Sequence, residues 1–99
     1  MAEISMNPES SVRHAARIAA RVVEGNAVVV VIDDRALHTL NRVGTFIWTS
    51  MEPDGCRIGD IVDAVRARFE VEPDRAEADV HGFLRELLAL GALELQAPE

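Results

Sequence analysis

The chain has a single cysteine, Cys56, among its 99 residues. One thiol closes no intramolecular disulfide and supplies no cysteine-based metal site, so the fold must rest on packing. A lone unpaired thiol also agrees with a reducing compartment, and a soluble cytoplasmic protein is expected. Long hydrophobic runs are missing too. The longest strictly apolar stretch, Ala27 to Ile32, is far short of the roughly 20 residues that cross a bilayer. Met1 to Ser11 carries Glu3 and Glu9 without an apolar stretch behind a basic start, so it does not read as a signal peptide. Positive charge is scarce: 10 basic against 17 acidic residues leave a formal net charge of −7. Such a chain repels phosphate backbones and anionic lipid, so neither nucleic acid nor membrane is an expected partner. A basic peptide or basic protein patch would be attracted, although the same charge also serves solubility.

Catalytic signatures are absent from the sequence. It contains no glycine-rich phosphate loop, no HExxH, no Gly-x-Ser-x-Gly and no cysteine cluster for an iron–sulfur centre. Asp33-Asp34 is a carboxylate pair, but adjacent turn residues point apart and more simply shape a hairpin. His38 and His81 lack a third ligand at suitable spacing. No catalytic residue, metal or cofactor is therefore assigned, and the expected function is binding. At this length a single hydrophobic core is expected, with little chain left for a deep catalytic cavity.

The pattern that is present begins at Arg17. Ile18, Ala20 and Val22 alternate with Arg17, Ala19 and Arg21, the period of a half-exposed strand. Glu24-Gly25-Asn26 signals a turn. Ala27 to Ile32 is β-branched and continuous, which predicts a strand buried on both faces. Asp33-Asp34-Arg35 turns the chain again, and Ala36 to Leu40 predicts a third strand. The period then changes to 3.6. Asn41 is a candidate N-cap for a helix carrying Val43, Phe46, Ile47 and Met51, ended by Pro53-Asp54-Gly55. Ile58, Ile61, Val62, Val65 and Phe69 define a second helix from about Arg57. Asp74-Arg75-Ala76-Glu77 matches a capping box for a third, which buries Val80, Phe83, Leu84, Leu87 and Leu88 and stops at Gly91. Ala92-Leu93-Glu94-Leu95 predicts a short final strand. The expected fold is α+β: an N-terminal three-stranded antiparallel sheet followed by a three-helix bundle, similar to a winged helix-turn-helix. Residues 1–16 read as a flexible arm and 17–96 as the domain. Exchange of that arm between chains leaves both a monomer and an arm-exchanged dimer open.

Several of these segments resemble one known family. Leu40-Asn41-Arg42-Val43-Gly44-Thr45-Phe46-Ile47-Trp48 is similar to the Leu-Asn-x-x-Gly-x-x-Ile-Trp core of PqqD-like proteins. Ile58-x-x-Ile61-Val62-x-x-Val65 with Phe69, then Ala78-Asp79-Val80-x-x-Phe83-Leu84-x-x-Leu87, then Gly91-Ala92-Leu93 follow in the family's order. The resemblance spans about Arg17 to Leu95. It departs from the members that serve pyrroloquinoline quinone synthesis, which usually have Ala and Leu where this chain has Gly44 and Trp48. Those members also continue into Cys-Asp-Gly, against Pro53-Asp54-Gly55-Cys56 here. Many relatives start the second helix with a threonine where this chain has Arg57.

The resemblance implies a recognition element that binds the leader of a ribosomally made precursor peptide and presents it to a tailoring enzyme. That enzyme would be a radical-SAM protein or a leader peptidase. It further implies that the leader docks as an added strand on Ala36, Leu37, His38, Thr39 and Leu40, beneath the helix carrying Asp79, Val80, Phe83 and Leu87. Nothing blunts that strand as an edge, because it contains neither proline nor lysine. Leu37, Thr39, Phe83 and Leu87 would line side-chain pockets. Asp79 has two readings, a contact to a basic leader residue or a solvated charge near a helix N-terminus. Trp48 is expected in the core and Cys56 as an exposed turn thiol. Two rivals remain: a winged-helix DNA-binding regulator, and a scaffold for a partner enzyme that grips no peptide. A helix over Asp74 to Leu90 with four acids and two arginines carries the wrong sign for the former.

Overall fold

The computed structural model describes residues 7–52 and 54–96. Two small antiparallel sheets and three helices enclose one core. The first sheet is the expected meander: β2 (Ile18–Val23), β3 (Asn26–Val31) and β4 (Ala36–Thr39), with β3 in the middle. Glu24 and Gly25 join β2 to β3 with φ of 52° and 86°, the two left-handed residues of a tight hairpin turn.

The second sheet was not anticipated. Ser11–His14, which the sequence assigns to a flexible arm, forms strand β1. It lies between β5 (Cys56–Arg57) and β6 (Leu93–Gln96). Val12 is completely buried there. The reason the strand escapes the pattern is that Val12 is its only large apolar residue. Its partners lie 44 and more positions away, Cys56 on one side and Leu95 on the other. The His14 ring stacks on Trp48 at a centroid distance of 3.7 Å, and its Nε2–H donates to the Trp48 carbonyl at 2.9 Å. Residues 1–6, the rest of that arm, lie outside the described residues.

Helix α1 (Arg42–Ser50) is capped as expected: Asn41 Oδ1 accepts the Gly44 N–H at 2.8 Å. Trp48 is in the core, 1% exposed. Helix α2 (Ile58–Phe69) has Arg57 as its N-cap without a side-chain bond. The main chain supplies the acceptors instead. Ser10 O accepts the Ile58 N–H and Pro8 O the Gly59 N–H, both at 2.9 Å. These satisfy two of the donors that every helix start leaves open. Helix α3 (Pro73–Ala89) starts with Pro73 at its first position and Glu72 as N-cap. The predicted capping box over Asp74 and Glu77 therefore does not form, because both residues are already inside the first turns. At the other end Gly91 N–H bonds Leu88 O and Ala92 N–H bonds Leu87 O, the paired contacts of a glycine-terminated helix.

The central strand corrects another expectation. Along β3 only Ala27, Val29 and Val31 are buried, while Val28 and Val30 are half-exposed on the opposite face. The helices cover one face of the meander only. The run is apolar on both faces without being buried on both.

Candidate functional site

The site follows from which way the backbone groups of β4 point. Leu40 N–H donates to Ala27 O at 2.8 Å. In an antiparallel pair, residues facing the partner alternate with residues facing away. With His38 opposite Val29 and Ala36 opposite Val31, residues 36, 38 and 40 turn their N–H and C=O groups toward β3. Leu37 and Thr39 turn theirs outward, along the free edge of the sheet. β3 serves β2 through the other set of residues, as Ile32 N–H to Arg17 O at 3.1 Å fixes the phase on that side.

That edge opens on a groove of about 410 Å³ lined by Leu37, His38, Thr39, Leu40, Asn41, Phe83, Glu86, Leu87 and Leu90. One wall is β4 and the other is α3. The groove thus joins six of the nine predicted strand and helix positions: Leu37, His38, Thr39, Leu40, Phe83 and Leu87. Side-chain faces differ from the expectation. Leu37 and Thr39 share the open face of the sheet with Val28 and Val30, and Leu37 is 63% exposed. His38 lies on the helix-facing side with Ala36, opposite Val29. Its Nε2 is buried and meets no hydrogen-bond partner among the described residues. Ala36 is half-buried and does not line the groove.

On α3, Val80 does not line the groove either: it is fully buried in the core. Leu87 is 2% exposed and forms floor rather than rim. Asp79 is exposed and lies 3.6 Å from Arg75 one turn back, an i,i+4 pair on the helix surface. His81 lines a different hollow, between α2 and α3 beside Pro8, so it does not face His38.

Four contributors escaped the sequence reading, among them Leu90 at the C-cap of α3. Glu86 lines the groove, although its position on the helix marks it only as a polar residue next to Leu87. Asn41 is both helix cap and groove wall. Gly44 is buried, and a Cβ there would lie 2.7 Å from Phe83 Cε1. The glycine lets the edge of the Phe83 ring approach α1 closely at the groove wall, which is the packing meaning of the Leu-Asn-x-x-Gly spacing.

Cys56 is not a turn thiol. It is half-buried in β5, and desolvation pushes its thiol above the ordinary range, with the Asp60 carboxylate adding to the rise. A hydrogen bond from the Arg57 backbone and the Arg57 charge oppose it more weakly. Among the described residues no helix is long and apolar enough to cross a membrane.

No curated protein matches the chain. Among solved structures it is similar to TbiB1 in complex with the TbiA(beta) leader peptide, with 27% sequence identity and a TM-score of 0.77. That similarity covers 83% of this chain and 94% of the other. Residues 26–93, well over half of the chain, match the family described as coenzyme PQQ synthesis protein D (PqqD). They run from the first residue of β3 to the first of β6, and so contain both groove walls. The chain belongs to the PqqD family.

Proposed function

We propose that this protein is a non-catalytic recognition element that captures the leader of a ribosomally made precursor peptide by strand addition to β4. It then presents the precursor to a tailoring enzyme such as a radical-SAM protein or a leader peptidase. The observation that carries the reading is the outward backbone row at Leu37 and Thr39 beside a groove walled by α3. A peptide laid along that row extends the sheet to a fourth strand, and its own N–H and C=O groups meet those of Leu37 and Thr39. Side chains pointing inward reach Phe83, Leu87 and Leu90, and a peptide donor or acceptor reaches the unpartnered Nε2 of His38. Main-chain bonds at about 0.5–1.5 kcal/mol net each, with apolar burial, support micromolar affinity after ordering costs. The similar protein TbiB1 is bound to a leader peptide, which supports the same occupant here.

The DNA-binding alternative has less support. The surface α3 would offer to phosphates carries Asp74, Glu77, Asp79 and Glu86 against Arg75 and Arg85, net −2 by subtraction. The deciding experiment is a titration of the full chain with the leader of a short precursor encoded beside it, followed by backbone NMR. Saturable binding with shifts centred on Ala36 to Leu40 and Asp79 to Leu87 is expected. Saturable binding with shifts confined to the α2–α3 hollow or the β1–β5–β6 sheet would move the site.

A further inference from the structure

The groove does not end with β4. A second hollow of about 360 Å³ continues it between α1 and α3, lined by Asn41, Val43, Gly44, Ile47, Asp79, Phe83 and Glu86. Asn41, Phe83 and Glu86 belong to both hollows, so they mark the joint. Val43, Ile47 and the Phe83 ring make one side of this hollow apolar, and the absence of a Gly44 side chain keeps the ring in place. Its charged groups are two carboxylates. No lysine or arginine lines either hollow.

The two carboxylates are not equivalent. Asp79 and Glu86 are seven residues apart on α3, about 10 Å along the axis, so one cation does not reach both. Asp79 has the Arg75 guanidinium beside it. Glu86 has no ion-pair partner among the described residues and sits where the strand edge meets the second hollow.

We infer that this hollow is a subsite for one long basic side chain of the bound peptide, lysine or arginine, with Glu86 as its counter-ion. The assignment rests on strand addition to β4. A peptide running past Thr39 leaves the backbone row and enters the hollow. The methylene stem of a basic residue covers Val43, Ile47 and Phe83, while its charged head stays at the wet rim on Glu86. A shorter apolar residue fills the floor but leaves the carboxylate unused, and an acidic residue is repelled. Glu86 is thus a specificity-determining residue.

The test uses the full chain and a phage-displayed library of random 12-residue peptides. Selected peptides are expected to share a lysine or arginine at a fixed distance from their apolar positions. Glu86→Gln should weaken those peptides about fivefold at low salt, with the loss shrinking as salt rises. Glu86→Arg should shift a repeated selection toward Asp or Glu at the same position. Both substitutions fall on an exposed helix position, and circular dichroism checks that the fold is retained. Selected peptides without a fixed basic residue, or unchanged affinity in Glu86→Gln, would overturn the subsite while leaving strand addition intact. Failure to select any peptide that Thr39→Pro weakens would overturn strand addition, and the subsite with it.

Discussion

Gly44 shows how much one missing methyl group decides. The sequence marks it through a spacing shared with a family, but only the 2.7 Å approach to Phe83 gives the physical reason. Gly44→Ala is expected to cost about 1–3 kcal/mol, as overpacking of a fitted contact does. The displaced ring would also narrow the groove, so peptide affinity should fall together with the melting temperature. A variant that melts lower yet binds as well as the parent would separate the ring from the site. Cys56 gives a second residue-scale expectation. Its thiol is held above the ordinary range by desolvation and Asp60, so less thiolate is present at a given pH than for a free cysteine. Iodoacetamide should alkylate it slowly at pH 8 and faster once the chain is unfolded in urea. Equal rates in both states would contradict the half-buried position in β5. Side-chain direction in β4 was the hardest feature to read in advance. Leu37, within the four-residue strand, and Leu40, just after it, are both apolar and lie on opposite faces, so composition gave no phase. His38 and Ala36 are the β4 side chains turned toward the helices.

Among the elements, β4 allows a comparison between adjacent positions. Thr39 N–H points to the free edge and His38 N–H points to β3. If the leader adds to β4 as proposed, Thr39→Pro removes a donor that only the peptide would use, so affinity should drop more than tenfold while the melting temperature moves by a few degrees at most. His38→Pro removes a ladder bond and should destabilise the sheet by about 1–3 kcal/mol. The reverse ranking in thermal melts would place the strand one register away. The helices and the meander were legible because their apolar periods are long enough to repeat. β1 and β5 were not, since a four-residue strand with one valine and a two-residue strand carry no period. The start of α2 was illegible for a related reason. Its caps are the carbonyls of Pro8 and Ser10, and a backbone acceptor leaves no signature in side-chain identity. Removing residues 1–10 deletes both acceptors and should lower stability by about 1–3 kcal/mol in urea titration. An unchanged unfolding midpoint would mean that water replaces them at no cost.

Taken as a whole, the molecule is an acidic body with an acidic groove. Its net charge of −7 and the lack of lysine or arginine in either hollow act in the same direction. A basic leader should therefore associate faster at low ionic strength, with salt slowing the on-rate more than it speeds dissociation. Stopped-flow binding at two salt concentrations measures this, and a salt-independent on-rate would show that long-range charge has no part in capture. By the same sign, random duplex DNA at low salt is expected to give no shifted complex in a gel. That charge balance was readable from composition alone. Which carboxylate faces the groove was not, because it depends on how α3 packs against β4 and α1.

The pairing of β1 with β6 sets Ser11 opposite Gln96, so the first and last strands of the domain leave it side by side. Neighbouring ends are what permit a domain to be spliced into a surface loop of another protein, or cut and reconnected at a new point, without repacking. Neither strand borders the groove at β4. A short tether between the two ends would carry the whole groove as one cassette, with the β4 edge still open.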